Sequence, residues 1–580
     1  MTHSHPLGRS LVPARSWPYL IDATVILLAL AFFFALVQLG SYWMARPMPA
    51  IEISLSVRAL PLYDFYSVGR IAIAYLLSLI FAVSYGYIAA YNPRVEAWMI
   101  AVLDILQSIP VLSFLPGVML AMIALIPGHQ LGIELGSILL IFTGQVWNMA
   151  FSFYSSLKSI PREMIEAARV YRFSAWQRFW QLELPSSAIG LIWNSIVSVA
   201  GGWFFLIVCE MFAFKGTSFR LPGLGSYLQT AADRGNLHAL AWGLLMLVAI
   251  IAATDQLIWR PLIAWSDKFK FEQTESASRV TSPILTLLQK PSALTRLPAR
   301  IWEGVEERVY RRLAQSKQCS TVQPIDSDVA EGSRLLPVLL GSAAALTILW
   351  GVAQAVQIVH GVTAADLRLL ILGACATWLR VNTSILIAAL WTIPVGVLIG
   401  SNPKAARYLQ PITQIVASVP ATALFPVLML GLIRIGGGLG IGSIALMLLG
   451  TQWYILFNVI AGAIAIPSDL KEAAAVYRFT RWQRWTRLTL PGIFPYLITG
   501  MITASGGAWN ASIVSEYFHI GDQTLQTLGL GAEISASTDS GRTAILLLAT
   551  VLMATMVVTM NRLVWRRLYR LAETRYKLEG

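Results

Sequence analysis

Apolar residues fall in long blocks separated by short polar stretches. Blocks at about 20–43, 68–90, 98–126, 131–155, 186–208 and 239–263 are each long enough, as helices, to cross a hydrocarbon core of roughly 30 Å. A second set lies at about 335–358, 374–400, 407–433, 440–463, 492–515 and 543–564. Between the sets, residues 266–334 are polar, with Ser, Pro and mixed charge, and 299–313 reads as a short helix. The pattern predicts an all-α polytopic membrane protein of about twelve transmembrane helices in two six-helix repeats. The expected domains are 1–265, a linker at 266–334, and 335–580. Six spans before the linker, an even number, make the repeats parallel. Such repeats are related by an axis along the membrane normal and place a pathway at their interface.

The halves also match residue by residue. Asn92-Pro93 pairs with Asn402-Pro403, Pro110 with Pro420 and Pro116 with Pro426, all at an offset of 310. From Trp147 and Trp453 through Glu210 and Glu516 the offset is 306, so the first half has four extra residues between its third and fourth spans. Proline within a span frees carbonyls and bends the helix, which hydrocarbon tolerates only beside protein or a wet cavity. Kinks at Pro110 and Pro420 are therefore expected beside the pathway.

One 26-residue stretch occurs twice, as IPREMIEAARVYRFSAWQRFWQLELP from Ile160 and IPSDLKEAAAVYRFTRWQRWTRLTLP from Ile466, with 15 identical positions. Proline at 161 and 467 suits a first helical turn. Ser174…Gln177 and Thr480…Gln483 match the capping box, in which hydroxyl and amide each satisfy an orphan N–H. A helix, a turn at Arg172-Phe173 or Arg478-Phe479, and a second helix follow. Arginine at such a turn implies either a turn without left-handed geometry or local strain.

Composition agrees with a membrane protein. Hydrophobic residues make up 56 % and charged residues 13 %, against about 25 % charged in soluble domains. The net charge of +13 is concentrated in the two repeated loops, the linker and the C-terminal tail, whereas 127–137 and 516–540 contain no Lys or Arg. That distribution puts both termini, the linker and both loops in the cytoplasm, and gives no reason to invoke nucleic acid. Arg9 and Arg15 precede the first apolar block, but no small-residue cleavage site follows it, so it reads as a retained span. Cys209, Cys319 and Cys375 lie too far apart in sequence for a disulfide framework, and the six histidines lack metal-ligand spacing. There is no P-loop pattern, so no cofactor is expected on this chain and any ATP must be bound by partner subunits.

Glu166-Ala167-Ala168 and Glu472-Ala473-Ala474, each followed at fixed distance by Leu184-Pro185 or Leu490-Pro491, resemble the EAA loop of permease subunits of ATP-binding-cassette importers. The usual Gly of that pattern is Arg172 in one copy and Arg478 in the other. The breaks around Pro110 and Pro420 resemble the anion branch that serves nitrate, sulfonates and taurine, and two permeases in one chain resemble its duplicated members. The resemblance implies a location in the inner membrane, two cytoplasmic ATPase subunits, an external substrate-binding protein and a small solute as cargo. It also implies ATPase-coupling roles for the EAA and Leu-Pro residues, with Tyr171, Arg172, Tyr477 and Arg478 beside them. Tyr, Phe and Trp are common interface anchors, and Arg178 and Arg484 are placed to meet partner carboxylates. Polar or bending candidates for the pathway are Gln107, Ser108, Pro110, Gln145, Asn148, Asn194, Ser418, Pro420, Gln452, Asn458 and Asn510. Glu210 and Glu516 recur at matching span ends, where a carboxylate suits a structural or gating role better than anion contact. The rival reading is an ion-coupled transporter of six plus six spans. It needs ionisable residues deep in the spans; Asp104 is its best candidate, and Gln414 stands at the matching position.

Overall fold

The computed structural model describes residues 52–127, 130–214, 217–266, 361–434, 438–520 and 523–575, with a few positions between 346 and 357. The expected span at 20–43, most of that at 335–358 and the linker lie outside the described residues. The first half comprises α1 (Leu60–Tyr91), α2 (Pro93–Ser108), α3 (Leu115–Leu125), α4 (Gln130–Lys158), α5 (Arg162–Val170), α6 (Ala175–Arg178) and α7 (Leu184–Cys209). Strands β1 (Met211–Phe214) and β2 (Thr217–Arg220) follow, then α8 (Leu224–Asp233), α9 (Leu237–Thr254) and α10 (Arg260–Ser266). The second half repeats the order as α11 (Ala364–Ser401), α12 (Pro403–Ser418), α13 (Ala421–Arg434), α14 (Leu439–Ala465), α15 (Ser468–Val476), α16 (Arg481–Arg484) and α17 (Leu490–Ser515). It closes with β3 (Tyr517–Ile520), β4 (Gln523–Gln526), α18 (Leu530–Ser540), α19 (Thr543–Met560) and α20 (Arg566–Arg575).

Among the described residues, eight helices are long and apolar enough to cross a membrane, or nine if α2 and the segment through α3 count as one bent span. The fold is all-α and polytopic. The expected third span, 98–126, is a correction: it is two helices meeting at 84°. Ile109, before Pro110, is extended (φ −80°, ψ 130°), because the proline ring disfavours the helical region at the preceding residue. Val419 before Pro420 does the same at φ −72°, ψ 118°. Pro116 bends nothing, for it sits in the first turn of α3, where its missing N–H is harmless. The Asn-Pro pairs act as helix starters. Asn92 and Asn402 are extended, and their side chains accept from the main-chain N–H groups of Arg94 and Lys404.

Within each half, the fourth span lies between the second and the fifth. A Cβ added at Gly86 would lie 3.1 Å from the Ala150 carbonyl, and one at Gly396 would lie 3.3 Å from that of Leu456. Glycine therefore sets the helix separation at matching points, as small residues do in membrane packing. π-Helical turns recur at Phe179–Glu183 and Trp485–Thr489, and at Asp255–Trp259 and Asn561–Trp565. In three of the four a proline follows two residues later, and the wider turn moves an i−4 carbonyl off its ring. The two hairpins and the short helices α8 and α18 fill connections that periodicity left bare. Their strands are antiparallel, pairing Met211 with Arg220 and Tyr517 with Gln526. Each hairpin rests on the short helix of the opposite half.

Candidate functional site

Both EAA loops form the helix–turn–helix that the caps require. Ser174 and Gln177 bond reciprocally through the Gln177 N–H (3.2 Å) and the Ser174 N–H (2.9 Å), and Thr480 and Gln483 do likewise. Arg172 (φ 52°) and Arg478 (φ 49°) are the non-glycine residues of positive φ among the described residues. The turn is thus left-handed. The N–H of Phe173 reaches the Ala168 carbonyl at 2.9 Å, and that of Phe479 reaches Ala474 at 3.0 Å, satisfying carbonyls a helix end would leave bare. These bonds hold arginine where glycine is easiest. Ala168 and Ala474 face inward, while Glu166, Tyr171, Arg172, Glu472, Tyr477 and Arg478 are exposed, the two tyrosines at 76 % each. Ala167 is exposed and Ala473 half-buried; Leu184 and Pro185, like Leu490 and Pro491, start the spans that leave the loops.

Arg178, expected to face a partner, is instead held inside the chain. Its Nε lies 2.6 Å from Glu183 Oε1, its guanidinium stacks on Tyr91 at 4.8 Å, and the Tyr91 hydroxyl donates to the same carboxylate at 2.6 Å. The counterpart of Glu183 is Thr489, and Arg484 stays exposed.

Glu210 and Glu516, at the ends of α7 and α17, are both fully buried and anchor matching clamps. Glu210 accepts from Ser67 Oγ (2.6 Å), Arg70 Nη1 (2.6 Å) and the Gly225 N–H (2.6 Å). Arg70 also forks onto Glu134 with two 2.6 Å bonds and donates to the Pro222 carbonyl. In the second half Glu516 accepts from Thr377 Oγ1 (2.8 Å), Arg380 Nη1 (3.0 Å) and the Gly531 N–H (2.9 Å). Arg380 then reaches the Leu528 carbonyl and Thr527 Oγ1. A Cβ at Gly223 or Gly529 would overlap the buried carboxylate, so glycine is required there. Each clamp ties a short helix and its hairpin to the second span of its half, which is a structural role. Sequence reading found the glutamates but not Arg70 and Arg380, although both stand at the 310 offset. Asp64, one turn before Ser67, is buried with neither oxygen bonded among the described residues.

The halves meet at the two breaks. Thr422 Oγ1 donates to the Phe204 carbonyl at 3.2 Å, and the Leu112 N–H donates to Asn510 Oδ1 at 3.4 Å. Leu112 and Thr422 are counterparts, as are Phe204 and Asn510, so the same crossing is made twice with main-chain and side-chain roles exchanged. Ser108 joins this seam by accepting from Asn561 Nδ2 at 3.0 Å, and Pro110 and Pro420 are buried at the breaks. Gln107 donates to Asn148 at 2.9 Å within the first half. Gln145 is fully buried against Gly202, and Gln452 is buried in α14. Asn194 bonds Ser152 and the Gly190 carbonyl, while Asn458 bonds Tyr454 on its own helix. Ser418 ends α12, and its side chain lies outside the described residues. The structure therefore brings Ser108, Pro110, Pro420 and Asn510 together at the seam and leaves Gln145, Asn194 and Asn458 within single halves. Asp104 faces Asn561 and Arg566 across the seam.

On the β3–β4 hairpin His519 Nε2 lies 2.7 Å from Asp539 Oδ2, which also accepts from the Tyr517 hydroxyl. The bond to Asp539, with Asp233 of the first half nearby, raises the His519 pKa above its ordinary value although partial burial opposes it. Gln229 of the first half donates to the His519 carbonyl at 3.2 Å.

The family model for binding-protein-dependent transport system inner membrane components matches twice, at residues 74–257 and 392–570, together more than half of the chain. The chain belongs to this family. Among relatives of this transport-component family, the nitrate import permease protein NrtB of Leptolyngbya laminosa is 29 % identical over 185 residues, covering 32 % of this chain and 63 % of that protein. The bicarbonate transport system permease protein CmpB of Synechococcus elongatus is 29 % identical over 141 residues, covering 24 % of this chain and 49 % of its own length. The osmoprotectant import permease protein OsmY of Salmonella typhimurium is 34 % identical over 128 residues, covering 22 % and 52 %. The chain thus spans about half to three-fifths of the length of the curated relatives it matches.

Proposed function

We propose that this chain is the membrane-spanning permease of an ATP-driven importer, with both permease halves in one polypeptide. It lies in the inner membrane with both termini in the cytoplasm. The observation that carries the reading is the pair of EAA loops, alike in caps, left-handed turn and exposed Glu, Tyr and Arg. Each loop seats in one of two cytoplasmic ATPase subunits, which bind and hydrolyse ATP, while this chain hydrolyses nothing. Glu166-Ala167-Ala168, Tyr171 and Arg172, and Glu472-Ala473-Ala474, Tyr477 and Arg478, are the coupling surface, and Leu184-Pro185 and Leu490-Pro491 pass its movement into α7 and α17. The cargo is a small solute delivered by an external binding protein, an anion of the nitrate or bicarbonate kind, and it passes where the two breaks cross. Against an ion-coupled mechanism, its candidate Asp104 faces an arginine, and Glu210 and Glu516 are committed to clamps.

Purified complex weighed by native mass spectrometry should contain one copy of this chain and two ATPase subunits. Two copies of this chain in an active complex would overturn the proposal.

A further inference from the structure

We propose that the second half, and not the first, carries a binding site for acidic phospholipid headgroups, formed by Arg481, Arg484 and Arg487 with Arg567 and Arg570 of α20. The argument rests on matched positions. In the first half, two arginines at the span ends on the loop side are neutralised within the chain, Arg178 by Glu183 at 2.6 Å and Arg260 by Asp255 at 3.1 Å. Both carboxylates are gone from the second half, where Thr489 and Asn561 stand at the 306 offset. The arginines remain as Arg484 and Arg566, and Arg566 finds Asp104 across the seam. Four more are added, because Ala175, Gln181, Pro261 and Ala264 of the first half become Arg481, Arg487, Arg567 and Arg570. All five proposed arginines are exposed, and no carboxylate among the described residues is in ion-pair contact with them.

Placement selects the occupant. Arg481–Ser515 and Thr543–Ala572 are two of the membrane-spanning helices, so the five arginines lie on the end turns of two spans. α20 packs on α17, the helix that continues directly from α16 and the π-turn at Trp485–Thr489, where the three loop arginines stand. The three of the loop climb at intervals of three residues from the exposed turn at Arg478 back toward the span, away from the surface offered to an ATPase. Trp482, 74 % exposed beside them, and Tyr569 on α20 are the aromatic types that settle at the headgroup level. Guanidinium forks bind phosphate oxygens bidentately, and a cluster of them holds acidic headgroups over zwitterionic ones.

The test uses the full chain with its ATPase subunits in nanodiscs of phosphatidylcholine with phosphatidylglycerol, and counts retained lipid by native mass spectrometry. In a variant with all five arginines changed to Gln, preference for phosphatidylglycerol should fall at least tenfold while ATPase subunits co-purify as before. The double variant T489E/N561D, which rebuilds in the second half the two ion pairs of the first, should lower the preference several-fold with all five arginines present. The wild-type preference should weaken as ionic strength rises. An unchanged preference in the Gln variant, or in T489E/N561D should the Gln variant not fold, overturns the proposal. Loss of ATPase subunits with lipid preference intact would also overturn it and make the surface a protein-docking site.

Discussion

The two clamps follow one plan at different loads. In the second half Arg380 serves one buried carboxylate, and its other bonds go to a carbonyl and a hydroxyl. In the first half Arg70 serves Glu210 and Glu134 at once, and Asp64 is buried nearby where the second half has Ala374. A single guanidinium therefore organises a carboxylate cluster in one half and a lone carboxylate in the other. The comparison teaches that matched topology fixes where a charge must be compensated, while the amount of charge differs between the copies.

The largest test of this difference is removal of the arginines. Breaking a buried ion pair by deleting one partner costs about 3–5 kcal/mol, and Arg70→Ala should reach or exceed that range because two carboxylates lose their cation. Arg380→Ala should cost less, since a single carboxylate, Glu516, loses its cation while Thr377 Oγ1 and the Gly531 N–H still bond it. Thermal unfolding of both variants in detergent checks the order, and equal losses would mean that Glu134 adds nothing. A smaller effect is expected where the halves agree. Arg172→Gly and Arg478→Gly should each relieve strain of about 1 kcal/mol at a left-handed turn, raising stability alike, yet weaken ATPase association in a salt-dependent way. Affinity and salt slope unchanged in both variants would place these side chains off the interface.

The smallest effect concerns His519, whose counterpart is Ala213. Its folded pKa is raised above the unfolded value, so its contribution is complete below the ordinary histidine pKa and is lost as pH rises through the higher folded one. Wild type should therefore lose a little stability relative to His519→Gln as pH climbs through that window, and parallel curves would rule out the histidine pairing. The ring is partly exposed, which keeps the effect modest.

Much of this was legible from residue order. Apolar block lengths, the 306 and 310 offsets, the capping boxes and the Asn-Pro starters are local signals, and the eight unbroken spans among the described residues appear close to their expected places. The angle at Pro110 was not legible, because a proline marks a break without setting its size. Arg70 and Arg380 were hidden inside apolar blocks, and only tertiary contact shows which carboxylates they meet. Arg178 misled for a related reason: its partners, Glu183 and Tyr91, are a buried residue five positions on and a ring from another helix. The hairpins are four-residue strands, too short for alternation to stand out.

The exchanged bonds at the crossing have a consequence for inheritance. An assembly of two identical chains must offer the same residue on both sides of its axis, so any change at the crossing is made twice and must work against itself. A single chain that carries both sides escapes this rule. Phe204 and Asn510 occupy one geometric position yet differ in size and polarity, and each meets a partner suited to it. Fusion thus turns one symmetric contact into two that can be altered separately, an option closed to an assembly of two identical chains.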